Sequence, residues 1–123
     1  GIGEPEDIFI GVAAGIDTFD CVLPTRNGRT GSLYTKKGKI DIKLACYIED
    51  FTPIDESCDC PTCTQFSRAY LRHLYKSGEM LGPLLGTIHN LRFLTRLTEQ
   101  IRESILNNRF VQFREQFLSA YRS

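Results

Sequence analysis

The chain has 123 residues, 41% of them hydrophobic, and its 15 basic and 15 acidic side chains give a formal net charge of zero. That is an ordinary globular composition for one domain or part of one, able to bury roughly two-thirds of its unfolded surface. No apolar run reaches the ~18 residues a membrane helix needs, and the acidic start with Pro5 does not read as a signal peptide. A zero net charge gives by itself no hint of a nucleic-acid partner. Its distribution says more: five acids and no base in residues 1–20, six bases against Asp41 in 21–48, and five acids again in 49–59. Such blocks serve as solvated faces, and a basic segment between acidic ones also suits a polyanion-binding loop.

In chain order, Pro5 and the acids beside it favour a helix start. Ile8, Val12 and Ile16 then keep a four-residue spacing, which predicts a short helix over 5–15 with Gly15 as its cap. Asp17–Leu23 reads as a buried strand ending at Pro24, the second half of one β/α repeat. Residues 24–31 read as loop. Ser32–Thr35 and Lys39–Lys43 alternate around Lys37-Gly38 and predict a β-hairpin, with a further short strand over 45–48. From Thr62 the period becomes helical, with Phe66, Tyr70 and Leu74 on one helix face. Residues 80–87, with Gly82, Pro83 and Gly86, predict one short helix or turn. Ile88, Leu91, Leu94, Thr98, Ile101 and Ile105 form the apolar stripe of a helix over 89–106, about 27 Å long. Asn107-Asn108 breaks it, and Phe110, Phe113, Phe117 and Tyr121 line a last helix whose aromatic stripe faces a core.

Three of the five cysteines fall in Cys58-Asp59-Cys60-Pro61-Thr62-Cys63. Three soft thiolates so close, in a chain with an odd cysteine count, suit a metal in a reducing compartment better than disulfides. A structural zinc takes four ligands. His73, placed about 15 Å further along the helix that holds Cys63, is too distant. His89 opens the long helix and completes the set Cys58, Cys60, Cys63 and His89. Cys46 in the fourth position is the competing reading, and a cluster without metal a third. Closed four-ligand zinc sites are structural as a rule, because no position remains for water or substrate.

Phe19-Asp20-Cys21-Val22-Leu23-Pro24-Thr25-Arg26 with Arg29, then Cys58-x-Cys60-x-x-Cys63, Ser67-Arg68-Ala69-Tyr70-Leu71 and His89-Asn90, resemble the signatures of tRNA-guanine transglycosylases, the queuine tRNA-ribosyltransferases. The resemblance covers essentially the whole chain, and Ile101-Arg102 and Arg109-Phe110 resemble the bacterial branch. It implies an α/β fold, the C-terminal part of a (β/α)8 barrel with an inserted zinc-binding subdomain of hairpin and helices. Such a barrel needs about 250 residues, so this chain would be its last third, which fits its start without methionine. The implied division is 1–31 for the last β/α unit with the catalytic loop, 32–90 for the zinc subdomain and 91–123 for the closing helices.

The resemblance implies a cytoplasmic enzyme that exchanges guanine at the tRNA anticodon wobble position for a 7-deazaguanine, preQ1 in the bacterial branch, during queuosine biosynthesis. Asp20 matches the nucleophile that attacks C1′ of the ribose. Thr25, Arg26 and Arg29 match RNA-contacting positions, where the planar arginine fork can bond or stack on base edges. Lys36, Lys37, Lys39 and Lys43 would add salt-dependent attraction to phosphate. Zn2+ is the implied metal, and the remainder of the barrel and a second copy of the chain are implied partners. The family's general acid/base and nucleobase-gripping residues have no match here, so the chain alone is expected to be inactive. The alternative function is a non-catalytic zinc-binding module for RNA or protein interaction.

Overall fold

A computed structural model describes residues 4–13 and 23–122. Its elements are α1 (Pro5–Ala13), α2 (Leu23–Thr30), β1 (Ser32–Thr35), β2 (Gly38–Asp41), a 3-10 turn (Ala45–Tyr47), α3 (Pro61–Gln65), α4 (Arg68–Lys76), α5 (Leu81–Leu106) and α6 (Phe110–Arg122). Among the described residues the fold is thus mostly helical with one small sheet. The expected strand over 17–23 and the Gly15 cap fall on positions outside the described residues, save Leu23, which opens α2.

The hairpin forms as expected: β1 and β2 pair antiparallel with Ser32 opposite Asp41 and Thr35 opposite Gly38. Gly38 takes φ 111°, which a side chain would oppose. Successive strand residues point to opposite faces, and β1 uses both. Leu33 enters a core with Ile42, Ile54, Leu71, Leu74, Leu85, Cys60 and Cys63. Tyr34 enters another with Ile8, Phe9, Phe93, Leu94, Leu97 and Ile101. Phe110, Phe113 and Phe117 of α6 close that second core on Phe9, with ring centroids 6.2, 5.7 and 5.3 Å away, so the expected aromatic stripe does face a core.

Residues 24–31 are not a loop. Pro24 occupies the first turn of α2, where no intrahelical amide bond is required. Gly31, with φ 89°, follows the last helical residue, a glycine that caps a helix end rather than starting a turn. Gly28 lowers intrinsic helicity, but packing requires it: a Cβ there would lie 2.3 Å from Thr87 Oγ1 and 2.8 Å from the Thr87 backbone. Residues 45–47 form a 3-10 turn, not a strand. The helix expected from Thr62 is two helices. Phe66 is extended, and the Ser67 hydroxyl accepts the Tyr70 amide at 3.2 Å as a new N-cap.

Residues 81–87 are no separate element but the first turns of α5, a single helix of 26 residues, about 39 Å long. Pro83 is tolerated because it lies in that first turn. The buried face is also rotated from the expected stripe. Leu94 and Ile101 of that stripe are buried, but Leu91, Thr98 and Ile105 are exposed, and Leu85, His89, Phe93 and Leu97 are buried in addition. Counting aliphatic residues misplaced that face, because a histidine and an asparagine belong to its centre. Asn108, at φ 57°, separates α5 from α6.

Candidate metal centre

The ligand atoms of Cys58, Cys60, Cys63 and His89 all lie within 4.8 Å of one another, and the four form a group able to hold a metal ion. Local rules bring the sulfurs together. The Cys60 sulfur caps α3, accepting the Cys63 amide at 3.3 Å, and Pro61 occupies the first helical position. Cys60 and Cys63 thereby face each other across one helical turn. The Thr62 hydroxyl, fully buried, donates to the Leu85 carbonyl at 2.7 Å and pins α3 to the first turns of α5. One turn further along α5, His89 presents Nδ1 at 3.2 Å from the Cys63 sulfur and 3.5 Å from that of Cys60.

The other ring nitrogen fixes the tautomer. Nε2 of His89 lies 2.6 Å from the Tyr34 carbonyl. It must donate there, which leaves the Nδ1 lone pair facing the sulfurs, the arrangement metal-bound histidines use. In a tetrahedral site with Zn–S near 2.3 Å and Zn–N near 2.0–2.1 Å, neighbouring donors stand about 3.6–3.8 Å apart. The separations of Nδ1 from the Cys60 and Cys63 sulfurs, 3.5 and 3.2 Å, are near that edge, and the donor set of three thiols and an imidazole fits the ion.

Electrostatics point the same way. Hydrogen bonds from the Cys58 and Cys63 thiols push the Cys60 thiol down to about 3. The same kind of contacts with Cys58 and Cys60, then burial, push the Cys63 thiol up. Thiolates packed this tightly repel one another, and a cation between them would relieve that repulsion.

Surrounding residues hold the cluster's frame. Arg92, one turn after His89, grips Asp59 with both arms of its guanidinium at 2.8 and 3.0 Å, and Arg96 donates to the Ser57 carbonyl at 2.8 Å. Asp55 is buried and accepts the Lys36 amide at 2.9 Å, the Ser57 amide at 2.9 Å and the Ser57 hydroxyl at 2.6 Å. Burial alone would raise its pKa, but the Ser57 and Lys36 hydrogen bonds outweigh it and hold the carboxyl below its ordinary value. Arg68 donates to the carbonyls of Pro53 and Ile54 at 3.0 and 2.7 Å, and so fixes the loop that leads to Cys58.

Cys46 is exposed in the 3-10 turn and is not a member of the cluster. His73 is also outside it, exposed on α4. The break at Phe66–Ser67 accounts for this better than distance along a continuous helix. Asp20 and Cys21 lie outside the described residues. Thr25 is half-buried on α2, and Arg26 and Arg29 are exposed, one helical turn apart on one face. Neither arginine is ion-paired with a described residue. Composition and spacing missed Asp59, Asp55 and Tyr34. For Asp59 a signal existed, since Arg92 follows His89 at helical spacing and the aspartate sits between two ligands.

A model of the family described as "Queuine tRNA-ribosyltransferase" matches residues 1–123. Curated relatives of that name include one from Thermoanaerobacter sp. (strain X514), 53% identical over 121 residues, covering 98% of this chain and 32% of the relative. Another, from Herpetosiphon aurantiacus, is 54% identical over 123 residues, covering 100% and 31%. A third, from Aquifex aeolicus, is 51% identical over 118 residues, covering 96% and 31%. The chain spans about a third of the length of the curated relatives it matches. With a match along its full length, the chain belongs to the queuine tRNA-ribosyltransferase family.

Proposed function

We propose that the chain is the C-terminal portion of a bacterial-type tRNA-guanine transglycosylase, a cytoplasmic pentosyltransferase of queuosine biosynthesis. The observation that carries the reading is the Cys58, Cys60, Cys63 and His89 group, assembled from two separate segments in a chain whose whole length matches the family. In this reading residues 1–31 belong to the last β/α unit of a (β/α)8 barrel, 32–90 to a zinc subdomain and 91–123 to closing helices. The latter two parts share α5, which crosses residue 90. The four ligands would hold Zn2+, which, when bound, crosslinks the cysteine loop to α5 and leaves no open position for substrate.

The chemistry belongs to Asp20. Its carboxylate attacks C1′ of the wobble-position ribose, the glycosidic bond breaks, and guanine leaves with the bonding electrons. A 7-deazaguanine, preQ1, then attacks the same carbon and expels the carboxylate, as in other double displacements through a glycosyl ester. Arg26 and Arg29, with Thr25, would contact bases flanking the exchanged nucleotide. The exposure of Arg26 and Arg29, and their lack of ion-pair partners among the described residues, support that role. The acid/base and nucleobase-gripping groups would lie in the rest of the barrel, so the 123 residues alone are inactive. A homodimer is the expected assembly.

The test uses the full-length polypeptide and its tRNA. Wild type should form a covalent protein–RNA adduct that survives denaturation, and Asp20→Asn should form none. An adduct in Asp20→Asn would overturn the nucleophile assignment, and absence of guanine exchange by wild type would overturn the function. Metal analysis should find about one zinc per chain, as a single closed four-ligand site requires.

A further inference from the structure

α2 is a poor helix on its own terms: eight residues with Pro24, Asn27 and Gly28 among them. Its position must come from what grips it. Two buried or half-buried side chains reach its backbone carbonyls from other elements. Asn90, fully buried on α5, donates to the Pro24 carbonyl at 3.2 Å in the first turn. Its amide nitrogen also bonds the Ser32 carbonyl at 3.0 Å, just past the helix end, and its oxygen accepts the Tyr34 amide at 3.1 Å. Tyr75, on α4, donates its hydroxyl to the Gly28 carbonyl at 2.6 Å in the second turn. Between these two holds, Gly28 rests directly on Thr87.

The holds lead back to the cysteine cluster. His89 and Asn90 are consecutive on α5 and take opposite ends of the same residue: His89 bonds the Tyr34 carbonyl and Asn90 the Tyr34 amide. Tyr34 in turn accepts Asn27 of α2 on its hydroxyl at 3.1 Å. The frame that carries the candidate ligands therefore also carries α2. The face of α2 left free by all these contacts presents Arg26 and Arg29.

We propose that Asn90 and Tyr75 are positioning residues that fix the height and tilt of α2, and with it the Arg26–Arg29 pair, on the frame of the metal centre. This rests on the proposed RNA-contacting role of the two arginines. Neither Asn90 nor Tyr75 touches RNA. Each acts by giving the arginine face one orientation, so that the ordering cost is met by folding and not by binding.

The test is steady-state exchange kinetics on the full-length enzyme with tRNA and base varied separately. Asn90→Ser removes the double amide grip, and Tyr75→Phe removes one hydroxyl from α2 while keeping the ring. Asn90→Ser should raise KM for tRNA on the order of tenfold and Tyr75→Phe about threefold, with zinc content, kcat and KM for the base little changed. A second readout is a double-mutant cycle, which separates positioning from general weakening. In an Arg26→Ala/Arg29→Ala background, both substitutions should lose most of their effect on tRNA KM, because no arginine face remains to be aimed. Full additivity with the arginine substitutions, or a fall in kcat without a change in tRNA KM, overturns the proposal while leaving the arginines' role standing. If Arg26→Ala/Arg29→Ala leaves tRNA KM unchanged, the RNA-contacting role fails first and the positioning role with it. Should Asn90→Ser not fold, the same cycle run with Tyr75→Phe alone supports or overturns the proposal by the same criteria.

Discussion

The two cores that meet on β1 are built from different materials. Beneath Leu33, apart from Leu85 near the start of α5, the elements are short: a five-residue α3, a nine-residue α4, a 3-10 turn and the irregular stretch between them. Helices of that length are marginal in water and supply few apolar side chains each. Their aliphatic residues share that core with Cys60 and Cys63, both members of the candidate metal group. Beneath Tyr34, α5 and the thirteen-residue α6 are long enough to pack by side chains alone, and Phe9 of α1 inserts among three phenylalanine rings. β1 and α5 thus join a core that contains the candidate metal group to one built on aromatic packing.

The sharpest way to break that comparison is to remove the metal. Apparent binding energies of structural zinc sites run to about 10 kcal/mol or more, comparable with a domain's whole stability. Chelation of the full-length protein should therefore open residues 46–90 to rapid amide exchange, as followed by mass spectrometry. Residues of α6 and the second half of α5 should stay protected at first. Simultaneous loss of protection in both halves would mean that the two cores are one cooperative unit.

The reciprocal experiment empties the aromatic core. Phe9 is fully buried, and truncating a buried phenylalanine to alanine costs about 3–5 kcal/mol. Phe9→Ala should lower the unfolding midpoint accordingly and release α1 and α6, yet leave zinc stoichiometry at wild-type level. A variant that loses zinc in proportion to its lost stability would show that the aromatic core supports the cluster after all.

Legibility in the sequence follows the same division. The cysteine spacing and the turn at Lys37-Gly38 announced the cluster and the hairpin, because both are governed by local chemistry. The aromatic stripe of α6 was also visible in its three- and four-residue spacing. α2 was not, since every residue in Pro24–Gly31 that normally signals a loop is used here for something else. Pro24 starts the helix, Gly28 allows contact with Thr87, and Gly31 ends it. The buried face of α5 was mislaid for a related reason. His89 and Asn90, both fully buried, are polar side chains whose hydrogen bonds make them core residues, and a search for apolar periodicity passes over them. The break between α3 and α4 depended on one capping serine, Ser67, set inside an otherwise continuous helical period.

A smaller effect sharpens the comparison at the seam between the hairpin and the cysteine loop. Asp55 is the side chain that crosses it, taking the Lys36 amide on one oxygen and Ser57 on the other. Those bonds favour the carboxylate more than burial opposes it, so its pKa is lower in the folded protein than in the unfolded chain. A depressed carboxyl contributes its stabilisation in full above the ordinary value near 3.9 and loses it as pH falls through the folded-state value. Asp55→Asn, which leaves buried amides poorly paired, should cost about 1–3 kcal/mol at neutral pH. The gap between wild type and variant should begin to narrow below about pH 4, where the carboxyl of the unfolded wild-type chain takes up its proton, and close further as the folded carboxyl is protonated at lower pH. Measuring both proteins at each pH cancels the acid release of metal that they share. A gap that stays constant down to pH 2 would show that Asp55 holds the seam as a neutral acceptor, and that its charge contributes nothing to joining the hairpin to the cysteine loop.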